Sequence, residues 1–248
     1  MDPCRPMSAV QPAVLTYVQD RAYEKFIPLN ASIELTMRCN IRCVHCYNFD
    51  RETPLDRASV AAELSTAEVM RVMTELRNEG CLYLALTGGE AFVHPGFFDF
   101  MDHARRLFLA VQVLSNGTLI TRETAVRLSG YPNLLGVSLS LYGATASVHD
   151  GITKVAGSFD KTWAGARLLQ ERGISVLLKF ILMKQNCHET AQMMEQAESL
   201  GFTCTVDPAI TMRHDGTKGS LETRMSPEQL EALYRGPLRT FVPHHAAT

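Results

Sequence analysis

From Ser32 onward, short apolar runs alternate with stretches that carry one apolar helical stripe, and this alternation is what most restricts the fold. The runs cover residues 33–37, 82–87, 111–114, 136–141, 176–183 and 203–206. Strands that alternate with helices imply parallel β/α units, and short apolar runs suit strands buried on both faces. Between them, Ser65 and Glu68 read as a capping box ahead of the stripe Val69, Val72, Met73 and Leu76, and Gly80 sits where a C-terminal cap belongs. Phe159, Thr162, Ala166 and Leu169 make a second stripe ending near Gly173, and Met193, Met194, Ala197 and Leu200 a third ending at Gly201. Residues 95–107 and 121–128 supply two more helices, and Ser226, Pro227 and Gln229 open a sixth. Right-handed crossovers turn these six units into an α/β fold: a partial (β/α)6 TIM-like barrel with parallel strands and functional groups at their C-terminal ends.

The 248 residues suffice for one main core, and no linker or internal repeat divides them. Residues 1–31 read as an N-terminal lead-in, 32–215 as the barrel core, and 216–248 as a C-terminal helix and tail. A formal net charge of -2 without basic runs gives no footprint for nucleic acid or an anionic membrane. Neither a long apolar span nor a signal peptide is visible, so a soluble cytoplasmic protein is expected. Seven cysteines, an odd number, suit a reduced compartment better than a disulfide scaffold. Cys81, Cys187 and Cys204 read as packed or incidental thiols, and Cys4 lies in the terminus.

The other three, Cys39, Cys43 and Cys46, directly follow the first expected strand. Crowded thiolates repel one another and call for a soft cationic partner, a metal or an Fe–S cluster. A cubane usually takes four cysteines, so three leave one iron open to a small molecule. A structural zinc site with His45 as fourth ligand, an electron-transfer ferredoxin and three incidental thiols are the alternatives.

The pattern Cys39-x3-Cys43-x2-Cys46 after a strand closely resembles the signature of the radical S-adenosylmethionine superfamily. The resemblance implies a [4Fe-4S] cluster on these cysteines, with S-adenosylmethionine chelating the open iron and cleaved reductively to a 5'-deoxyadenosyl radical. His45 takes the usually aromatic place near the adenine; an exposed side chain with no role is the bland reading. Gly88, Gly89 and Glu90 end the second run and resemble the motif that binds the methionyl amino group, although alone they could be a plain turn. Ser115 and Asn116, before Gly117, match contacts to ribose or carboxylate, or form a common turn.

Ser138 and Ser140 lie on one side of the fourth run and match a further cofactor contact, but Tyr142 stands where the family often has Asp. This Tyr form, continuing through His149, Asp150, Gly157, Ser158 and Phe159, resembles the subgroup of SPASM-type peptide and cofactor maturases. Lys179, a charge within the fifth run, either points into the barrel toward cofactor or substrate or snorkels outward. Asp207, Arg213, His214 and Asp215 either line the entrance or lie on a solvated loop. No cysteine follows Cys204, so either the barrel works alone or the chain stops short of an auxiliary-cluster SPASM domain. The expected substrate is a peptide or protein, alternatively a haem or quinone-type cofactor precursor, with a flavodoxin or ferredoxin as electron donor.

Overall fold

In a computed structural model of the chain, residues 13–51 and 63–239 are described. Strands β1 (Asn30–Glu34), β2 (Tyr83–Thr87), β3 (Ala110–Ser115), β4 (Leu134–Leu141), β5 (Val176–Ile181) and β6 (Thr203–Asp207) form one sheet in chain order. Every neighbouring pair is parallel, and β1 and β6 are edges, so the sheet curls without closing. Helices α1 (Ala13–Glu24), α2 (Thr66–Asn78), α3 (Phe97–Arg106), α4 (Arg122–Ser129), α5 (Ala146–Thr153), α6 (Ser158–Gln170), α7 (Thr190–Ser199) and α8 (Pro227–Arg235) accompany it. The capping boxes at Ser65/Glu68 and Ser226/Gln229 both form and fix the starts of α2 and α8.

The two faces of the sheet differ in chemistry. Val111, Val113, Val137, Leu139, Leu178 and Phe180 are fully buried, and the core they join includes Met73, Phe100, Leu128, Ala166 and Met193 from the helices. The alternate positions are Gln112, Ser138, Ser140 and Lys179, with Ser140 beside Lys179 in register. Strands buried on both faces were therefore the wrong expectation at these sites: the inner face is polar because it borders a cavity.

Several boundaries also differ from the sequence reading. The first strand occupies Asn30–Glu34 rather than 33–37 and starts within the segment taken as a lead-in. It ends early because Glu63 captures the backbone: its carboxylate accepts the Thr36 hydroxyl at 2.6 Å and the Met37 N–H at 2.8 Å. The fifth strand stops at Ile181 rather than 183, where the buried Asn186 amide donates to Ile181 O and Tyr142 O and accepts from Met183 N–H. Cys204, read as a plain thiol, is disulfide-bonded, and the reading of Cys4 falls outside the described residues.

Helices α1 and α5 were not expected. Helix α5 is short, contains Gly151, and packs a buried His149 whose Nδ1 accepts the Tyr142 N–H at 3.1 Å. Asp150 leaves α5 to cap α6, accepting from Gly157 N–H, the Ser158 hydroxyl and Phe159 N–H at 2.6 to 2.9 Å. The run from His149 to Phe159 is thus a brace between two helices.

Burial lowers the pKa of His149 from 6.5 to about 4, so the folded protein holds this ring neutral where the unfolded chain protonates it. Stability from this group is complete above pH 6.5 and is lost as the pH falls toward 4. Unfolding free energies from urea titrations across that window should slope less steeply with pH in His149→Asn, by about 1.4 kcal/mol per pH unit at most.

Candidate active site

The cysteine loop connects β1 to the segment before α2 and is held from two sides. On one side Arg42 N–H donates to Thr153 O at 2.8 Å and Val44 N–H to Ile152 O at 3.1 Å, so the loop hangs from the C-terminal carbonyls of α5. A small apolar cluster of Tyr142, Ile152 and Met183 lies beneath it and takes in Cys43, Val44, Val148 and Ile181. On the other side Gly89 N–H donates to Thr36 O at 2.6 Å and Glu90 N–H to Arg38 O at 2.9 Å. This close approach requires both glycines. A Cβ on Gly88, whose φ is +146°, would lie 2.5 Å from Thr36 O, and one on Gly89 would strike the Met37 and Arg38 carbonyls.

Held in this way, the free thiols of Cys39, Cys43 and Cys46 line a single cavity of about 380 Å³ at the C-terminal ends of the strands. Gly88, Gly89, Ser115, Asn116, Ser138, Ser140, Lys179 and Asp207 line the same cavity. Burial pushes the Cys39 thiol above its ordinary pKa, and for Cys43 burial and then the two neighbouring sulfurs do so more strongly. Without a cationic partner these groups stay protonated, so the arrangement fits thiolate ligands of a positively charged centre. His45 immediately precedes Cys46, so one tetrahedral ion would have to take two adjacent side chains from a tight loop, a poor fit to zinc with His45 as fourth ligand.

His45 lines the cavity with its ring edge-on to Tyr142 at 4.7 Å, and its buried Nδ1 has no partner among the described residues. Burial lowers its pKa to about 4, so the ring is neutral and offers a flat aromatic surface with one free polar atom. Lys179 reaches the inner side of the sheet, and Ser138 accepts from Gln112 Nε2 at 3.1 Å.

Glu90 departs from expectation. It is 1% exposed and does not line the cavity. Its carboxylate accepts from the Ser115 hydroxyl at 2.8 Å, Asn116 N–H at 2.7 Å and Phe92 N–H at 3.1 Å. In this arrangement the acid is occupied tying the end of β2 to the end of β3, rather than presented to an ammonium group. Asn116 Nδ2 in turn donates to Asn40 Oδ1 at 2.9 Å and contacts Cys39 Sγ at 3.8 Å. The glycine-acid motif and the Ser115–Asn116 turn are therefore one connected unit that ends on a thiol.

Arg51 was not singled out from the sequence. Its Nε donates to Cys46 Sγ at 3.1 Å, its Nη1 to Met37 O at 2.7 Å, and its guanidinium lies 4.1 Å above the Phe49 ring. A lone arginine five residues past the last cysteine carries no sequence signal; only the folded loop shows its role. Of the entrance candidates, Asp207 reaches the cavity. Arg213 lines a neighbouring pocket, His214 packs its ring on Tyr47, and Asp215 closes a local turn with Thr217.

The Radical SAM superfamily profile matches residues 33–197. The antilisterial bacteriocin subtilosin biosynthesis protein AlbA of Bacillus subtilis is 34% identical over 175 residues, covering 71% of this chain and 38% of that protein. The AdoMet-dependent heme synthase of Methanosarcina barkeri is 32% identical over 169 residues, 68% of this chain and 46% of that protein. The chain thus spans less than half the length of these curated relatives. Among solved structures, Streptococcus suis SuiB bound to precursor peptide SuiA superposes with a TM-score of 0.62 at 16% identity, over 80% of this chain and 45% of that one, a likeness of fold. A profile match over residues 33–197, which include the cysteine loop and the strand ends around the thiols, makes this chain a member of the radical SAM superfamily.

Proposed function

We propose that this chain is the S-adenosylmethionine-cleaving domain of a radical enzyme that modifies a peptide or protein. The observation that carries the reading is the convergence of three thiols from one loop on a cavity whose opposite wall is a row of polar strand ends. In this proposal Cys39, Cys43 and Cys46 hold three irons of a [4Fe-4S] cluster. The loop of Gly88 and Gly89, Asn116, Ser138, Ser140 and Lys179 would face the methionyl and ribose groups of S-adenosylmethionine, with His45 beside the adenine. Held by these residues, a reduced cluster would deliver one electron to a carbon–sulfur bond of the bound cofactor, supplying radical hydrogen-abstraction chemistry.

The chain's own residues provide position and electrostatics. Arg51 and Asn116 direct N–H groups at two of the sulfurs, and Lys179 brings a cation to the inner wall suited to a carboxylate. A peptide substrate is supported by the bacteriocin biosynthesis assigned to AlbA and by the precursor peptide bound to SuiB. The similarity to the heme synthase favours a second reading, a small cofactor precursor in the same cavity. A cytoplasmic location, an external one-electron donor protein, and no nucleic-acid or membrane partner complete the proposal. Among the described residues no helix is long and apolar enough to cross a membrane.

Anaerobic reconstitution with iron and sulfide, then dithionite and S-adenosylmethionine, should yield 5'-deoxyadenosine, and Cys39→Ala should abolish both the cluster absorbance and the product. Failure of the wild-type chain to assemble a four-iron cluster would sink the reading. Glu90 tests the brace. Glu90→Ala strands up to three donors at about 1–3 kcal/mol each, so its denaturation midpoint should fall and its cofactor affinity weaken with it. Normal stability with weakened affinity would instead restore direct contact between Glu90 and the cofactor.

A further inference from the structure

A second pocket, of about 340 Å³, lies across the cysteine loop from the cavity already described. Cys39, Ile41, Cys43, His45 and Cys46 face the first cavity, while Arg42 and Val44 face the second, and Cys43 and Arg51 border both. The loop is therefore a wall one residue thick between the two spaces. The second pocket is lined by four cations, Arg42, Arg51, Lys184 and Arg213, against the two acids Asp50 and Glu222, although the chain as a whole is net negative.

Arg213 is the unusual member. Its side chain is only 10% exposed, and its buried Nε has no hydrogen-bond partner among the described residues. Its Nη1 is 3.7 Å from Asp50 and 3.4 Å from Thr217 Oγ1, both long contacts. A buried guanidinium N–H without an acceptor is destabilising unless something supplies one. The buried Gln185 Oε1 in the same pocket also lacks a partner among the described residues.

Resting on the radical-enzyme reading, we propose that this pocket is the docking site for an acidic one-electron donor protein, with a donor carboxylate received by Arg213, Lys184 and Arg42. On that reading the electron has to be supplied to the cluster from a separate redox partner. A donor seated here stands one side chain from Cys43 and next to Arg51, which donates to Cys46. The transfer is a single electron: the reduced donor is oxidised by one, the cluster is reduced by one, and no bond is made or broken. An acidic face also complements this cationic patch and favours rapid encounter at low salt.

The test uses the reconstituted chain with reduced flavodoxin as probe, and Lys184→Glu as the variant. Lys184 is exposed and does not line the thiol cavity. Flavodoxin-driven 5'-deoxyadenosine formation should fall about tenfold or more in the variant and lose its salt dependence, while the dithionite-driven rate stays unchanged. Flavodoxin binding, followed by titration of the labelled donor, should weaken in parallel and needs no turnover. Unchanged flavodoxin affinity and rate would overturn the docking site. So would a variant that keeps both and loses binding of an acidic peptide, which would assign the pocket to substrate. No dithionite-driven product in the wild type would fault the radical reading instead, and the titration would still decide the pocket.

Discussion

The site depends on backbone hydrogen bonds that grip the cysteine loop from opposite sides. Three soft anions on one short loop repel one another, and nothing in their own segment can hold them in place. The Arg42 and Val44 amides hang from the last carbonyls of α5, while the Thr36 and Arg38 carbonyls receive the amides of Gly89 and Glu90. Each such bond contributes only about 1 kcal/mol net. Collectively they fix the sulfur positions before any metal arrives, which a ligand set on a free loop could not do.

That grip explains why one motif has two jobs. Gly88 and Gly89 line the cavity, yet the lack of a side chain is demanded first by the carbonyls of the cysteine loop. Glu90 is drawn inward for the same reason: its burial is compensated by three donors that bind the ends of two strands together. In the proposed site Glu90 would act one step removed, by setting the position of its neighbours.

Much of this was legible in the sequence, and the pattern of misses is physical. The β/α alternation and the helix starts at Ser65 and Ser226 follow from periodicity and from side chains that act on their own segment, whereas the sequence left the direction of Lys179 open. Helix α5 was missed because it is only eight residues long and contains Gly151; tertiary contacts through His149 and Ile152 hold it. Arg51 and Glu63 were missed because both act across the chain, on Cys46 and on the Thr36 backbone, where no local spacing records the partnership. The ends of β1 and β5 shifted for the same reason, since single side chains, Glu63 and Asn186, take over backbone groups that the apolar pattern would leave in the ladder.

The anchoring of the loop on α5 also sets an order of events during synthesis. Cys39, Cys43 and Cys46 leave the ribosome well before Ile152 and Thr153, whose carbonyls pin the loop. Until the chain has grown on to Thr153 and α5 has folded against β4, the three sulfurs have no fixed spacing to offer. Cluster loading is thereby deferred until most of the barrel exists, and the nascent thiols must be kept reduced for the whole of that interval.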